Sequence, residues 1–63
     1  RMDMARLLDG LPAKQADMIR ATKIDGFSVL EAADRAGIGE SDVKVSIHRG
    51  LKALAARITG ERR

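Results

Sequence analysis

Apolar residues along this 63-residue chain recur at three- and four-residue intervals, and glycines break the pattern into four pieces. Met4, Leu7, Leu8 and Leu11 carry the first, a helical segment from Met2 to Asp9 that Gly10 ends. Pro12 stands where a first helical residue tolerates a missing N–H, so a second helix is predicted from about Pro12 to Ile24. Its inward stripe is Met18, Ile19 and Thr22, with Gln15 beside it, and Asp25-Gly26 is a left-handed stop. Ser28-Val29-Leu30-Glu31 is a capping box, in which the Ser28 hydroxyl accepts from the Glu31 amide while the Glu31 side chain reaches back. That opens a short third helix, Val29 to Ala36, closed by Gly37.

Gly39 is an acceptable N-cap for a fourth helix, from about Glu40 to Ile58, with Glu40 and Asp42 in the first turn where the helix dipole favours acids. Gly60 reads as its stop, and residues 59–63 as a frayed basic tail. A short capped helix, a three-residue turn with glycine and a longer helix make a helix-turn-helix. The expected fold class is all-α, a small four-helix domain spanning residues 1–63, with no sheet. Gly37-Ile38-Gly39 does not make a nucleotide loop, because no strand precedes it and the third glycine is missing.

The long fourth helix carries the chemistry. With Val43 set at 0° on a helical wheel, Ile47, Gly50, Leu51, Leu54 and Ile58 form one apolar stripe centred at about 40°. Ser41, Val45, His48, Arg49 and Lys52 share the opposite face, flanked by Lys44 and Ser46. Arg donates two bonds to guanine, Ser donates or accepts, Val meets a thymine methyl, and flanking lysines suit phosphates. The third helix would cross the DNA backbone, its Ser28 end offering amides to a phosphate. The alternative is the solvated side of an amphipathic helix. Apolar Val45 at the centre of this face, and the lack of any Asp or Glu between Val43 and Ile58, weigh against it.

Charge and composition narrow the field. Residues 40–63 hold six basic and three acidic groups, against a net of +3 for the whole chain, so the excess positive charge sits with the fourth helix. A polyanionic partner is expected. Eighteen large apolar residues and ten alanines give a small core, and a chain this short buries about 60% of its unfolded surface. With no Cys and a single His there is no disulfide framework and no metal site, and no cofactor is expected. No run of large apolar residues is long enough to span a membrane, which points to a cytoplasmic protein. His48 lacks a nucleophile and acid arranged for catalysis, so no catalytic residue is assigned and an enzyme is excluded. The start at Arg1 reads as a fragment of a longer chain.

Taken together, Leu11-Pro12, Gly26-Phe27-Ser28, Ala33, Gly37-Ile38 and above all Val43-Lys44-Val45-Ser46-Ile47-His48-Arg49-Gly50-Leu51-Lys52-Ala53-Leu54 resemble region 4 of bacterial sigma factors of the extracytoplasmic-function group. The last run is the specific part, where the family commonly shows Val-Lys-Ser-Arg-Leu-His-Arg-Ala followed by Lys-Ala-Leu. The resemblance implies a winged-helix-like domain of the sigma region 4 type that binds the promoter −35 element in the major groove. It also implies docking on the β flap of RNA polymerase, capture by an anti-sigma factor, and a place with the bacterial nucleoid. The family's DNA contacts map onto Lys44, Val45, Ser46, His48 and Arg49. Val45 and Ser46 replace the usual Ser and Arg, Leu30 stands for an exposed acid, and Leu51 for a frequent Arg. The two extra leucines are candidates for a protein-docking surface. Two other readings stay open: a LuxR-type response-regulator output domain, and a sigma-like mimic that binds only an anti-sigma protein.

Overall fold

A computed structural model describes residues 4–61. Four helices follow in order: α1 (Met4–Leu8), α2 (Ala13–Ile19) continuing into a π-helical turn (Arg20–Ile24), α3 (Val29–Ala36) and α4 (Glu40–Glu61). Among the described residues there is no strand, and no helix is long and apolar enough to cross a membrane. The fold is all-α.

The punctuation read from the sequence accounts for most boundaries. Leu11 N–H donates to the Leu8 carbonyl at 3.0 Å, which closes α1 tightly before Pro12. Pro12 sits one position outside α2 rather than at its first residue: its ψ of 144° is extended, and its carbonyl accepts from Ala16 at 3.0 Å. The second helix ends as predicted at Asp25-Gly26, but it widens first. Asp25 N–H reaches back five residues to Arg20, Phe27 N–H reaches back six to Ala21, and Gly26 takes φ 81°. The Thr22 hydroxyl donates to the Met18 carbonyl at 2.8 Å, a bond of the kind that bends helices. Nothing in the spacing of apolar residues foretells this turn.

The capping box at α3 is complete: Glu31 N–H donates to Ser28 Oγ at 3.0 Å, and Ser28 N–H donates to Glu31 Oε1 at 2.8 Å. Its far end is a Schellman motif, with Gly37 at φ 70°, Ile38 N–H on the Ala33 carbonyl and Gly37 N–H on Asp34. Val43 N–H bonds the Gly39 carbonyl, which makes Gly39 the N-cap of α4. The far end of α4 departs from expectation. Gly60 does not stop the helix, which runs to Glu61, since an internal glycine costs a helix only about 1 kcal/mol against alanine. Residues 59–61 of the expected tail are therefore helical, and Arg62 and Arg63 lie outside the described residues.

Two apolar clusters hold the helices together. Leu8, Ala16, Ile19 and Leu54 join α1 and α2 to the middle of α4, while Met18, Ala32, Ala33 and Val43 join α2 and α3 to its start. Ile47 packs against both. The adjacent Met18 and Ile19 of α2 point into different clusters, so α2 is the strut that fixes α3 and α4 to each other.

The buried side of α4 is rotated from the expected stripe. Val43, Ser46, Gly50 and Leu54 are buried while Leu51 is 41% exposed, which moves the stripe's centre by roughly 60° on the wheel. Small residues set this packing. A Cβ placed on Gly50 would lie 2.5 Å from Ile19 Cδ1, so only glycine lets α4 approach α2 this closely without a shift. Ser46 is the other small residue on that side.

Candidate nucleic-acid interface

The helix-turn-helix consists of α3, the Gly37-Ile38-Gly39 turn and α4. Burial of Val43, Ser46, Gly50 and Leu54 turns the opposite side of α4 outward. Ser41, Lys44, Val45, His48, Arg49 and Lys52 are all exposed there, and Val45 is 45% exposed at the centre. Seven of the residues singled out along α4 from sequence for a DNA-reading face thus reduce to six. Ser46 is the exception and a correction: it is only 5% exposed, because it shares the buried side of the helix with Val43, Gly50 and Leu54. Its hydroxyl is not on the open face.

The electrostatics of this face come from three cations, Lys44, Arg49 and Lys52. Arg57, a further cation of α4, turns away. Its guanidinium lies over Gly10 at the α1–α2 turn, in the space a side chain at residue 10 would need. The first turn of α4 carries two acids, Glu40 and Asp42. Asp42 is paired with Lys14 of α2 at 2.6 Å.

At the start of α3, the Ser28 hydroxyl accepts from the Glu31 amide and the Glu31 carboxylate accepts from the Ser28 amide. That carboxylate is held below its ordinary pKa, first by the Ser28 amide and then by the Ser28 hydroxyl, with burial opposing them and the Arg35 charge adding the least. A negative charge therefore already sits at this helix start, and a phosphate approaching Ser28 has only the hydroxyl proton and the next amides of α3 left to bond. Arg35 lies over the Phe27 ring with its guanidinium carbon 4.4 Å from the centroid, which fixes the chain entering α3. Leu30 is 59% exposed, and neither it nor Leu51 belongs to a core cluster. Ile24, 52% exposed at the end of the π-helical turn, is an outward apolar residue that the helical pattern had no reason to single out.

Comparison with known proteins accords with this geometry. The family model for sigma-70, region 4 matches residues 1–54, which includes α1 to α3 and the packed part of α4. The ECF RNA polymerase sigma factor SigF of Caulobacter vibrioides (strain NA1000 / CB15N) is 44% identical over 57 residues. That match covers 90% of this chain and 32% of the relative, so the chain spans about a third of the relative's length. No solved structure matches the chain. The chain belongs to the sigma-70 region 4 family of helix-turn-helix DNA-binding domains, and its likeness is to the extracytoplasmic-function group.

Proposed function

We propose that this domain recognises the −35 element of promoters by laying the first half of α4 in the major groove, as part of an alternative sigma factor acting with RNA polymerase in the bacterial cytoplasm. The observation that supports this most directly is the exposed face of α4, where Lys44, Arg49 and Lys52 surround Val45 and His48 with no acid after Asp42 until Glu61. Arg49 is the guanine reader by its two-pronged donor geometry, and Val45 is the contact to a thymine methyl. Ser41 and His48 add polar contacts to base edges. Lys44 and Lys52 bind phosphates and set the helix in register. The Ser28 hydroxyl adds a backbone contact from α3.

The protein partners follow from the same family. We assign the β flap of the polymerase and an anti-sigma factor to the apolar residues left outward, Leu30 and Leu51. No chemical step is involved: sigma factors are transcription factors, and this domain would act by positioning the polymerase.

Three outward cations set the expected strength of binding. The 63-residue chain alone should bind DNA with Kd on the order of 10⁻⁴ to 10⁻⁶ M at physiological salt. Its log–log salt slope should be about −2, since Lys44 and Lys52 each neutralise a phosphate and each phosphate contributes about −0.9. Tethering to polymerase raises the effective concentration and supplies the remaining affinity. A salt series by fluorescence anisotropy on −35 duplexes tests the reading, and nanomolar binding insensitive to salt contradicts it.

A further inference from the structure

Lys14 of α2 and Asp42 of α4 are 28 positions apart, yet Nζ and Oδ2 lie 2.6 Å from each other. Both side chains are about half exposed, a setting in which an ion pair adds little to stability. Its placement against the reading face is more telling. Asp42 precedes Val45 by three residues and Arg49 by seven, so it runs along the edge of the face that carries Arg49. Val45, three residues on, stands about 5–6 Å from Asp42, inside the screening length of about 8 Å at physiological salt. Arg49, seven residues on, is about 10.5 Å away along the helix and comes within the screening length only at lower salt. An unmasked carboxylate there would oppose DNA brought up beside Val45 and, at low salt, along the face as far as Arg49.

We propose that Lys14 is a positioning residue for DNA recognition: it draws the Asp42 carboxylate back against α2 and cancels its charge. Asp42 can then serve the first turn of α4, where the helix dipole favours an acid, without opposing the DNA. Lys44, Arg49 and Lys52 are left to set the potential of the groove-facing side. This inference rests on the −35 reading above. The other exposed ion pair among the described residues, Arg20 with Asp17 at 3.4 Å, joins neighbours three residues apart and masks an acid on α2, so it provides a control of equal charge.

The test uses the 63-residue chain and duplexes with and without the −35 element, read by anisotropy at two salt concentrations. Lys14→Ala and Lys14→Gln should each weaken binding about threefold to tenfold near ~50 mM salt, and less than about twofold near ~300 mM. Asp42→Asn should bind at least as tightly as wild type, and Lys14→Ala with Asp42→Asn should return to within about twofold of it. Arg20→Ala should cost less than about twofold. Circular dichroism melts establish that each variant is folded. A double variant as weak as Lys14→Ala means that Lys14 itself touches phosphate, and overturns masking. An Arg20→Ala loss equal to that of Lys14→Ala reduces the effect to net charge and overturns it as well. Should wild type fail to prefer −35 duplexes, the DNA reading falls and takes this inference with it; preference by wild type with an unrestored double variant removes the inference alone.

Discussion

Gly50 of α4 faces Ile19 of α2 across a gap that a single added carbon would close: a Cβ on Gly50 would sit 2.5 Å from Ile19 Cδ1 and 3.4 Å from Gln15 Cβ. Ile19 is fully buried. The contact is made at the first core cluster, to which Ile19 belongs, and sets how α4, and hence its outer face, is rotated.

This relationship predicts a coupled pair of substitutions. Gly50→Ala gains about 1 kcal/mol of helix propensity but forces Ile19 to move, and should destabilise by about 1 kcal/mol net. Ile19→Val, which removes Cδ1, should cost about 0.5–1.5 kcal/mol alone. Together they should approach wild-type stability in urea melts, a coupling of about 1 kcal/mol or more. Strict additivity would show that the helices are not in close contact there.

How far the sequence specified this arrangement depends on the range of the forces involved. The capping box at Ser28 and Glu31 and the left-handed glycines at 26 and 37 are local bonding patterns, and they appear where the residue types require them. The helix-turn-helix follows from those same stops. The rotation of α4 was not legible, because a hydrophobic wheel weighs Leu51 above Gly50 and Ser46, whereas close packing selects for small size. That is why Ser46 is buried and Leu51 is outward. The place of Arg57 beside the turn at Gly10 was not legible either, because it is a contact between residues far apart in sequence. The outer face was legible all the same, because a rotation of the buried stripe towards Ser46 leaves Val45, His48, Arg49 and Lys52 outside.

Glu31 gives the domain an acid-sensitive link. Its pKa is depressed in the folded state, so its contribution to stability is present above its unfolded value of about 4.5 and is lost as pH falls through the lower, folded value. Thermal melts from neutral to acid pH should show this loss, and Glu31→Gln, which keeps an acceptor for the Ser28 amide, should diminish it. An unchanged acid limb in that variant would assign the pH dependence to other carboxylates.

Val45 makes a claim about one methyl group. Replacing the contacted thymine by deoxyuridine should weaken binding of wild type by about 1 kcal/mol, roughly the transfer value of a methyl group, and should leave Val45→Ser indifferent to the change. Scanning deoxyuridine through the −35 duplex locates the base. Indifference at every thymine would place Val45 away from the groove floor.

Leu30 addresses the protein partners. Leu30→Glu should weaken binding to a β-flap peptide or to the anti-sigma factor by about 1–3 kcal/mol and leave the fold intact, because this side chain contributes to neither core cluster. Calorimetric titration of each partner gives the answer. If both bind through this surface, they exclude each other; a ternary complex with wild type contradicts shared use, and unchanged affinities remove Leu30 from the interface.

The central claim, that the outer face of α4 reads bases as well as binding phosphates, is tested most directly by comparing Arg49→Ala with Lys52→Ala on a duplex panel that varies each −35 position. Arg49→Ala should cost about 1–3 kcal/mol on the preferred duplex and flatten discrimination at one base pair. Lys52→Ala should weaken every duplex alike and reduce the salt slope by roughly one unit. Equal losses for both variants on preferred and random DNA would contradict the account.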